Sequence, residues 1–200
     1  YFPITTTTNL NSQTYTSRTS PSGSSVYVLN CLFMSITTSG NGGALYCTSV
    51  TYFLVESTLF SSCKTNSDWG GAIFFQNTNS GQSVLYEVCG YDCSTSLAGQ
   101  FARIDVNNAA SSKNYINYSS ITRCVNEISS SQQLVRLYYG KIYCPSNNVS
   151  QNKFQYYSAI HCDPFKELSS VICSLSYSSF TDNVASYFTC IKLASTGAKS

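Results

Sequence analysis

The sequence predicts an all-β fold, a parallel β-helix of about six coils, and three observations carry that expectation. The block Gly42-Gly43-Ala44-Leu45 returns as Gly70-Gly71-Ala72-Ile73 after 28 residues, and self-similarity at a fixed period of roughly 20 to 50 residues marks a solenoid. A second marker moves with the first, an apolar residue followed three later by Cys or Asn: Phe60 to Cys63, Ile121 to Cys124, Val149 to Asn152 and Phe180 to Asn183. The repeating segments are rich in Val, Ile, Tyr, Phe, Thr and Ser and bounded by Gly, Asn and Ser. That is strand-and-turn chemistry, where helical repeats need Ala, Leu, Glu and Lys.

Taken in order, residues 1 to 25 are polar and turn-rich and read as an N-terminal lead-in or cap, since the open end of a solenoid needs covering. The β-helix proper spans 26 to 193. Coil one begins near Val26 and closes at Gly42-Gly43; coil two runs from Val50 to Phe75, coil three from Ser83 to Ile104, coil four from Tyr115 to Leu137, coil five from Ile142 to Cys162 and coil six from Val171 to Leu193. With Cys47 as the strand marker, equivalent positions fall at Phe75, Arg103, Arg136, Cys162 and Cys190, in steps of 28, 28, 33, 26 and 28. In the second marker coil three reads one residue out of step, at Tyr91-Asp92-Cys93, and coil one carries an apolar Ile36. Gly42, Gly43, Gly70 and Gly71 are expected where the backbone turns tightly or two rungs approach closely, because only Gly reaches φ > 0 without penalty. An insertion around Asn126 to Gln133 stretches one step to 33 and is a candidate binding loop. The charged stretch Asp163-Pro164-Phe165-Lys166-Glu167 reads as a solvated turn, and 194 to 200 as a tail.

The paired motifs, with Phe180-Thr181-Asp182-Asn183 closing the series, resemble the GGA[ILV] and FxxN repeats of the chlamydial polymorphic membrane proteins. The Ser/Thr/Asn/Tyr-rich form with Cys63 and Cys124 in place of Asn is more similar to the polymorphic-membrane-protein-like surface proteins of trichomonad protists. The resemblance implies a right-handed coil, display at a surface and use in adhesion, and it brings no catalytic residues.

Composition narrows the partners. Charged residues are 10% of the chain, against about 25% in typical soluble proteins, which suits rungs stacked at about 4.8 Å, where like charges would repel. A net charge of +2 makes no case for nucleic acid. No apolar run is long enough to span a membrane. The chain starts at Tyr1 without a leader, so either a signal has been removed or the sequence is a piece of something longer.

Ten cysteines invite a disulfide reading. Yet Cys63, Cys93 and Cys124 recur on successive rungs, and in-register stacking at about 4.8 Å exceeds the roughly 3.8 Å Cβ separation a disulfide wants. With Asn152 and Asn183 they read equally well as a buried ladder of small polar side chains. No CxxC pair exists, and the single histidine, His161, stands beside Cys162, so neither a metal site nor another cofactor is expected. A Cys-His nucleophile is disfavoured because adjacent strand residues face opposite sides. A polysaccharide lyase or hydrolase would need carboxylates converging on one face. The nine available do not repeat in phase; Asp92 and Asp182 come closest, three rungs apart. Two sequons, at Asn117 and Asn148, are glycosylation candidates on a secretory route. Tyrosine pairs such as Tyr138-Tyr139 and Tyr156-Tyr157 suit carbohydrate stacking, protein interfaces or cross-rung stacks.

The expected function is non-enzymatic: a cell-surface or secreted module that adheres to a protein or glycan ligand on a host cell or matrix. The alternatives are a structural subunit packed against neighbours in a larger assembly, which could be intracellular, and a glycan-active enzyme.

Overall fold

The computed structural model describes residues 1–2, 7–124, 133–154, 158–164, 173–185 and 190–193. Every strand pair described is parallel, and the pairs build three long faces. Face A stacks Thr7–Asn11, Ser25–Leu29, Tyr52–Glu56, Gln82–Tyr86, Lys113–Asn117, Lys141–Pro145 and Cys173–Ser176. Face B stacks Thr14–Tyr15, Leu32–Met34, Leu59–Ser61, Cys89–Tyr91, Ser120–Thr122, Asn148–Ser150 and Ser179–Thr181. Face C stacks Leu45–Thr48, Ile73–Gln76, Ala102–Asp105, Val135–Tyr138, Ile160–Asp163 and Ile191–Leu193. The chain visits A, B and C in turn and then climbs one rung, so the described residues form a parallel β-solenoid of about six coils. Short strands such as Thr37–Thr38, Lys64–Thr65 and Ser94–Thr95 pair between faces B and C. Among the described residues no helix is long and apolar enough to cross a membrane.

The residues read as a lead-in supply a partial rung of their own. Thr7–Asn11 lies in register on Ser25–Leu29, Thr14 and Tyr15 on Leu32 and Phe33, and Thr19 bridges Leu45. The Tyr15 ring stacks on Phe33 at 4.7 Å, so the first coil presents a covered core at this end.

Alternation of side chains along each strand sends one set inward, where it forms a continuous core from Val26 to Cys162. Because the register is exact, like stacks on like, as where Phe33 lies on Phe60 at 4.9 Å; across the core, Phe53 of face A meets Phe75 of face C at 5.2 Å, and in both pairs the rings are near parallel. Parallel stacks of this kind add about 0.5–1.5 kcal/mol beyond area burial.

The register corrects the sequence markers. Phe75 pairs with Ile104, not Arg103; Leu137, not Arg136, pairs with Cys162, and Cys162 pairs with Leu193, not Cys190. The inner column is therefore Cys47, Phe75, Ile104, Leu137, Cys162 and Leu193. The slip arises at the decayed glycine motif. Gly99, with φ of +76°, matches Gly42 (+68°) and Gly70 (+72°), so the survivor is the first glycine of the pair rather than the second. Coil three is likewise in step in the second marker: Gly90 pairs with Phe60 and Ile121, placing a glycine where the other coils have an apolar side chain.

The two glycines of each pair do different work. Gly42 and Gly70 turn the chain in the left-handed region. At Gly43 and Gly71 the limit is space: a Cβ would lie 2.0 Å from the Gly71 carbonyl oxygen in the first case and 2.0 Å from that of Gln100 in the second.

Candidate functional site

Each coil turns twice through a left-handed residue that is not glycine. The first corner uses Asn30, Ser57, Glu87, Tyr118, Ser146 and Tyr177; the second uses Ser35, Ser62, Asp92, Arg123, Gln151 and Asp182. Such a residue swings the next side chain inward, and two polar ladders result.

The ladder after the second corner holds Cys63, Cys93, Cys124, Asn152 and Asn183. The thiols of Cys63 and Cys93 donate to the Phe33 and Phe60 carbonyls of the preceding rung at 3.6 and 3.7 Å. Asn152 Oδ1 accepts from the Cys124 N–H at 2.9 Å while its amide nitrogen donates to Ile121 O at 2.9 Å and Asn183 Oδ1 at 2.9 Å. Amide and thiol serve the same purpose, satisfying corner backbone that the coil hides from water.

The ladder after the first corner escaped the sequence reading. It comprises Cys31, Thr58, Val88, Ser119, Asn147 and Ser178; the last five each stand five residues before a member of the other ladder, and Cys31 stands five before the apolar Ile36. Thr58 Oγ1 accepts from Cys31 N at 3.3 Å, Ser119 Oγ from Val88 N at 3.1 Å, Asn147 Oδ1 from Ser119 N at 3.0 Å and Ser178 Oγ from Asn147 N at 3.1 Å. The constant five-residue offset was the available signal, masked by five different residue types in six places.

All ten cysteines are free thiols, seven of them buried and only Cys89 exposed. Bonding to Cys93 together with burial holds the Cys63 thiol far above its ordinary value; burial, then bonding to Cys93, does the same for Cys124. A second group forms in the core of coils five and six, where Cys162 meets Cys144 and Cys173. Cys47, alone, is pushed up to about 12 by burial. These thiols are packing and hydrogen-bonding groups.

The concentration of chemistry outside the coil lies on face C. One outward column reads Tyr46, Phe74, Arg103, Arg136, His161 and Lys192, and its neighbour Thr48, Gln76, Asp105, Tyr138 and Asp163. The Arg103 guanidinium sits 3.8 Å over the Trp69 ring and 5.8 Å from that of Phe74. It grips Asp105 in a fork, Nε to Oδ2 at 3.1 Å and Nη2 to Oδ2 at 2.8 Å, while Gln76 Nε2 adds a third bond at 3.4 Å. Arg136 lies 4.2 Å over Tyr138 and donates to its hydroxyl. His161 packs beside Tyr138 at 5.9 Å. Burial first, then Arg136 and Lys192, lowers its pKa to about 4, so the imidazole is neutral at physiological pH.

Two expectations change here. Asp105 and Asp163 do share a column, two rungs apart with Tyr138 between them; the one-residue slip at Arg103 had put them out of phase. Asp163 ends a face C strand and is buried at 8% exposure rather than lying in a solvated turn. His161 and Cys162 face opposite ways, the latter in the core. Asp92 and Asp182 occupy the same corner three rungs apart, and Asp92 pairs with Lys64 at 3.2 Å.

Of the two sequons, Asn148 is exposed on face B, while Asn117 is buried at 5% exposure. The loop from 126 to 132, the pair Tyr156-Tyr157, residues 165 to 167 and the tail 194 to 200 lie outside the described residues; Gln133 is buried. Among the described residues no group of three or more His, Cys, Asp or Glu side chains could hold a metal ion.

The stacked parallel faces and inward ladders define the chain as a parallel β-helix solenoid. No protein-family model, curated protein or solved structure matches it.

Proposed function

We propose that the chain is a non-enzymatic binding module, at a cell surface or secreted, that attaches to a protein or glycan on a cell or matrix. The observation that carries this reading is the outward column of face C, which stacks an aromatic, cationic or imidazole side chain on six successive rungs at about 4.8 Å intervals, with Tyr46, Arg136 and Lys192 reaching solvent and Phe74, Arg103 and His161 packed beneath their neighbours as support. Aromatic rings and guanidinium groups are the side chains that dominate recognition surfaces, and a straight row of them suits an extended ligand. Adhesion also accords with the resemblance of the glycine and FxxN motifs.

The second reading, a subunit of a larger assembly, draws on Val184 and Leu193, apolar side chains that are 60% and 66% exposed. A glycan-active enzyme has the least support. A general acid or base must reach its substrate, and Asp105 is buried with its oxygens engaged by Arg103 and Gln76.

The test is binding of the purified chain to glycan arrays and to cultured cells, with circular dichroism as the check on folding. Saturable binding that drops at least tenfold in an Arg136→Ala/Lys192→Ala variant supports the reading. Absence of binding by a folded chain above a scrambled-coil control overturns it, and release of new reducing ends or unsaturated sugars from polyuronates would establish the enzyme instead.

A further inference from the structure

Face A carries a second outward surface, independent of the first, and part of it is already covered. Three outward columns run along it. The middle one contains Leu54 and Val84 on adjacent rungs. Both side chains point away from the core and belong to no inner cluster, yet Leu54 is 8% exposed and Val84 is wholly buried. Tyr52 and Lys113 stand in the column to one side, Tyr86 and Asn117 in the column to the other.

Tyr1 and Phe2 touch both flanking columns. The Phe2 ring packs on Tyr52 at 5.2 Å with Lys113 Nζ 5.1 Å from its centroid, and the Tyr1 ring packs on Tyr86 at 5.8 Å. Lys113 donates to the Tyr1 carbonyl. The dipeptide therefore straddles the middle column, with a ring on each wall and a main-chain carbonyl held by a cation. These are the elements of a peptide site: two aromatic walls, an apolar floor and a polar anchor for backbone.

The geometry points to a docking groove on the outside of face A for an extended peptide segment with adjacent aromatic residues, of which Tyr1 and Phe2 are the resident, displaceable occupant. An equivalent segment supplied in trans competes with the resident at its own effective concentration. The groove floor continues past the occupant through Tyr115 to Tyr143, which is 39% exposed, so a longer segment gains contacts that the resident lacks.

The experiment uses the full chain and a fluorescein-labelled peptide of residues 1–8, with anisotropy as readout. A Tyr1→Ala/Phe2→Ala variant should bind the peptide at least tenfold more tightly than the unmodified chain. Adding Leu54→Lys to that variant should abolish binding, and adding Lys113→Met should weaken it several-fold while the circular dichroism spectrum stays unchanged. Equal affinity of the parent and the Tyr1→Ala/Phe2→Ala chain, or binding that survives both Leu54→Lys and Lys113→Met, overturns the proposal. Neither result bears on face C, whose Arg136 and Lys192 are untouched.

Discussion

The ring of Phe101 occupies the space that a side chain at position 90 would need: a Cβ on Gly90 would lie 2.5 Å from Phe101 Cδ2. Phe101 also meets Phe60 edge-on at 5.8 Å, so one aromatic from the start of face C fills the gap left in the inner column of face B. Gly90→Val should cost about 1–3 kcal/mol by overpacking, and Phe101→Ala about 3–5 kcal/mol by opening a cavity. The double variant should cost less than the sum by about 1 kcal/mol or more. Urea denaturation of the four proteins measures the coupling; strict additivity would mean that the two positions do not share the space.

Gly71 faces the Gln100 carbonyl oxygen too closely for any side chain. Its substitution by Ala should destabilise by at least about 2 kcal/mol even though Ala has the better intrinsic conformational entropy. A midpoint in urea unchanged from the parent would contradict the close approach.

Asn152 satisfies one backbone N–H and one backbone carbonyl inside the coil. Asn152→Ala leaves both buried without partners, at about 1–3 kcal/mol for each group. The Cys124 amide should lose hydrogen-exchange protection in the same variant, which separates a lost ladder bond from general loosening.

His161 sets a pH dependence. Its folded pKa is lowered from 6.5 to about 4, so between those values the unfolded chain takes up a proton that the native one refuses. Its contribution is fully present above pH 6.5 and is lost as pH falls towards 4. Thermal melts should show Tm dropping across that window, and His161→Gln, which cannot take up the proton, should flatten the drop. Equal slopes for the two proteins would remove His161 as the cause.

Cys89 stands exposed on face B while seven thiols are buried. An aromatic disulfide reagent should label one site rapidly in the native protein, Cys173 and Cys190 more slowly, and the rest only on unfolding. Cys89→Ser should delete the fast phase; a fast phase that survives would place another thiol at the surface.

The solenoid was legible because burial and strand pairing act at a constant interval, and Gly42-Gly43 and Gly70-Gly71 advertise it. What was not legible followed from degeneracy. Gly99 alone does not say which glycine of the pair it is, and the ambiguity moved Arg103 and Asp105 by one place against Cys47 and Cys162; Arg103 and Arg136 were still aligned with each other, but the column that Asp105 shares with Asp163 was hidden. The ladder through Thr58, Ser119 and Asn147 was hidden because Cys, Thr, Ser and Asn oxygen or sulfur atoms meet the same corner N–H or carbonyl, so geometry recurs without a recurring letter. The packing of Phe2 against Tyr52 joins segments that no local pattern connects.

Among the described residues the strand-to-strand hydrogen bonds run along the axis of the coil, and each strand pairs only with those one rung above and below it. A load applied between the two ends of the chain therefore falls on the outermost rung alone, a zipper opened tooth by tooth, while a load applied across the faces is shared by every rung in register. The module yields to tension in small steps, each reversible while the remaining rungs hold the template, and it would behave as an extensible tether when pulled lengthwise and as a stiff plate when pressed from the side.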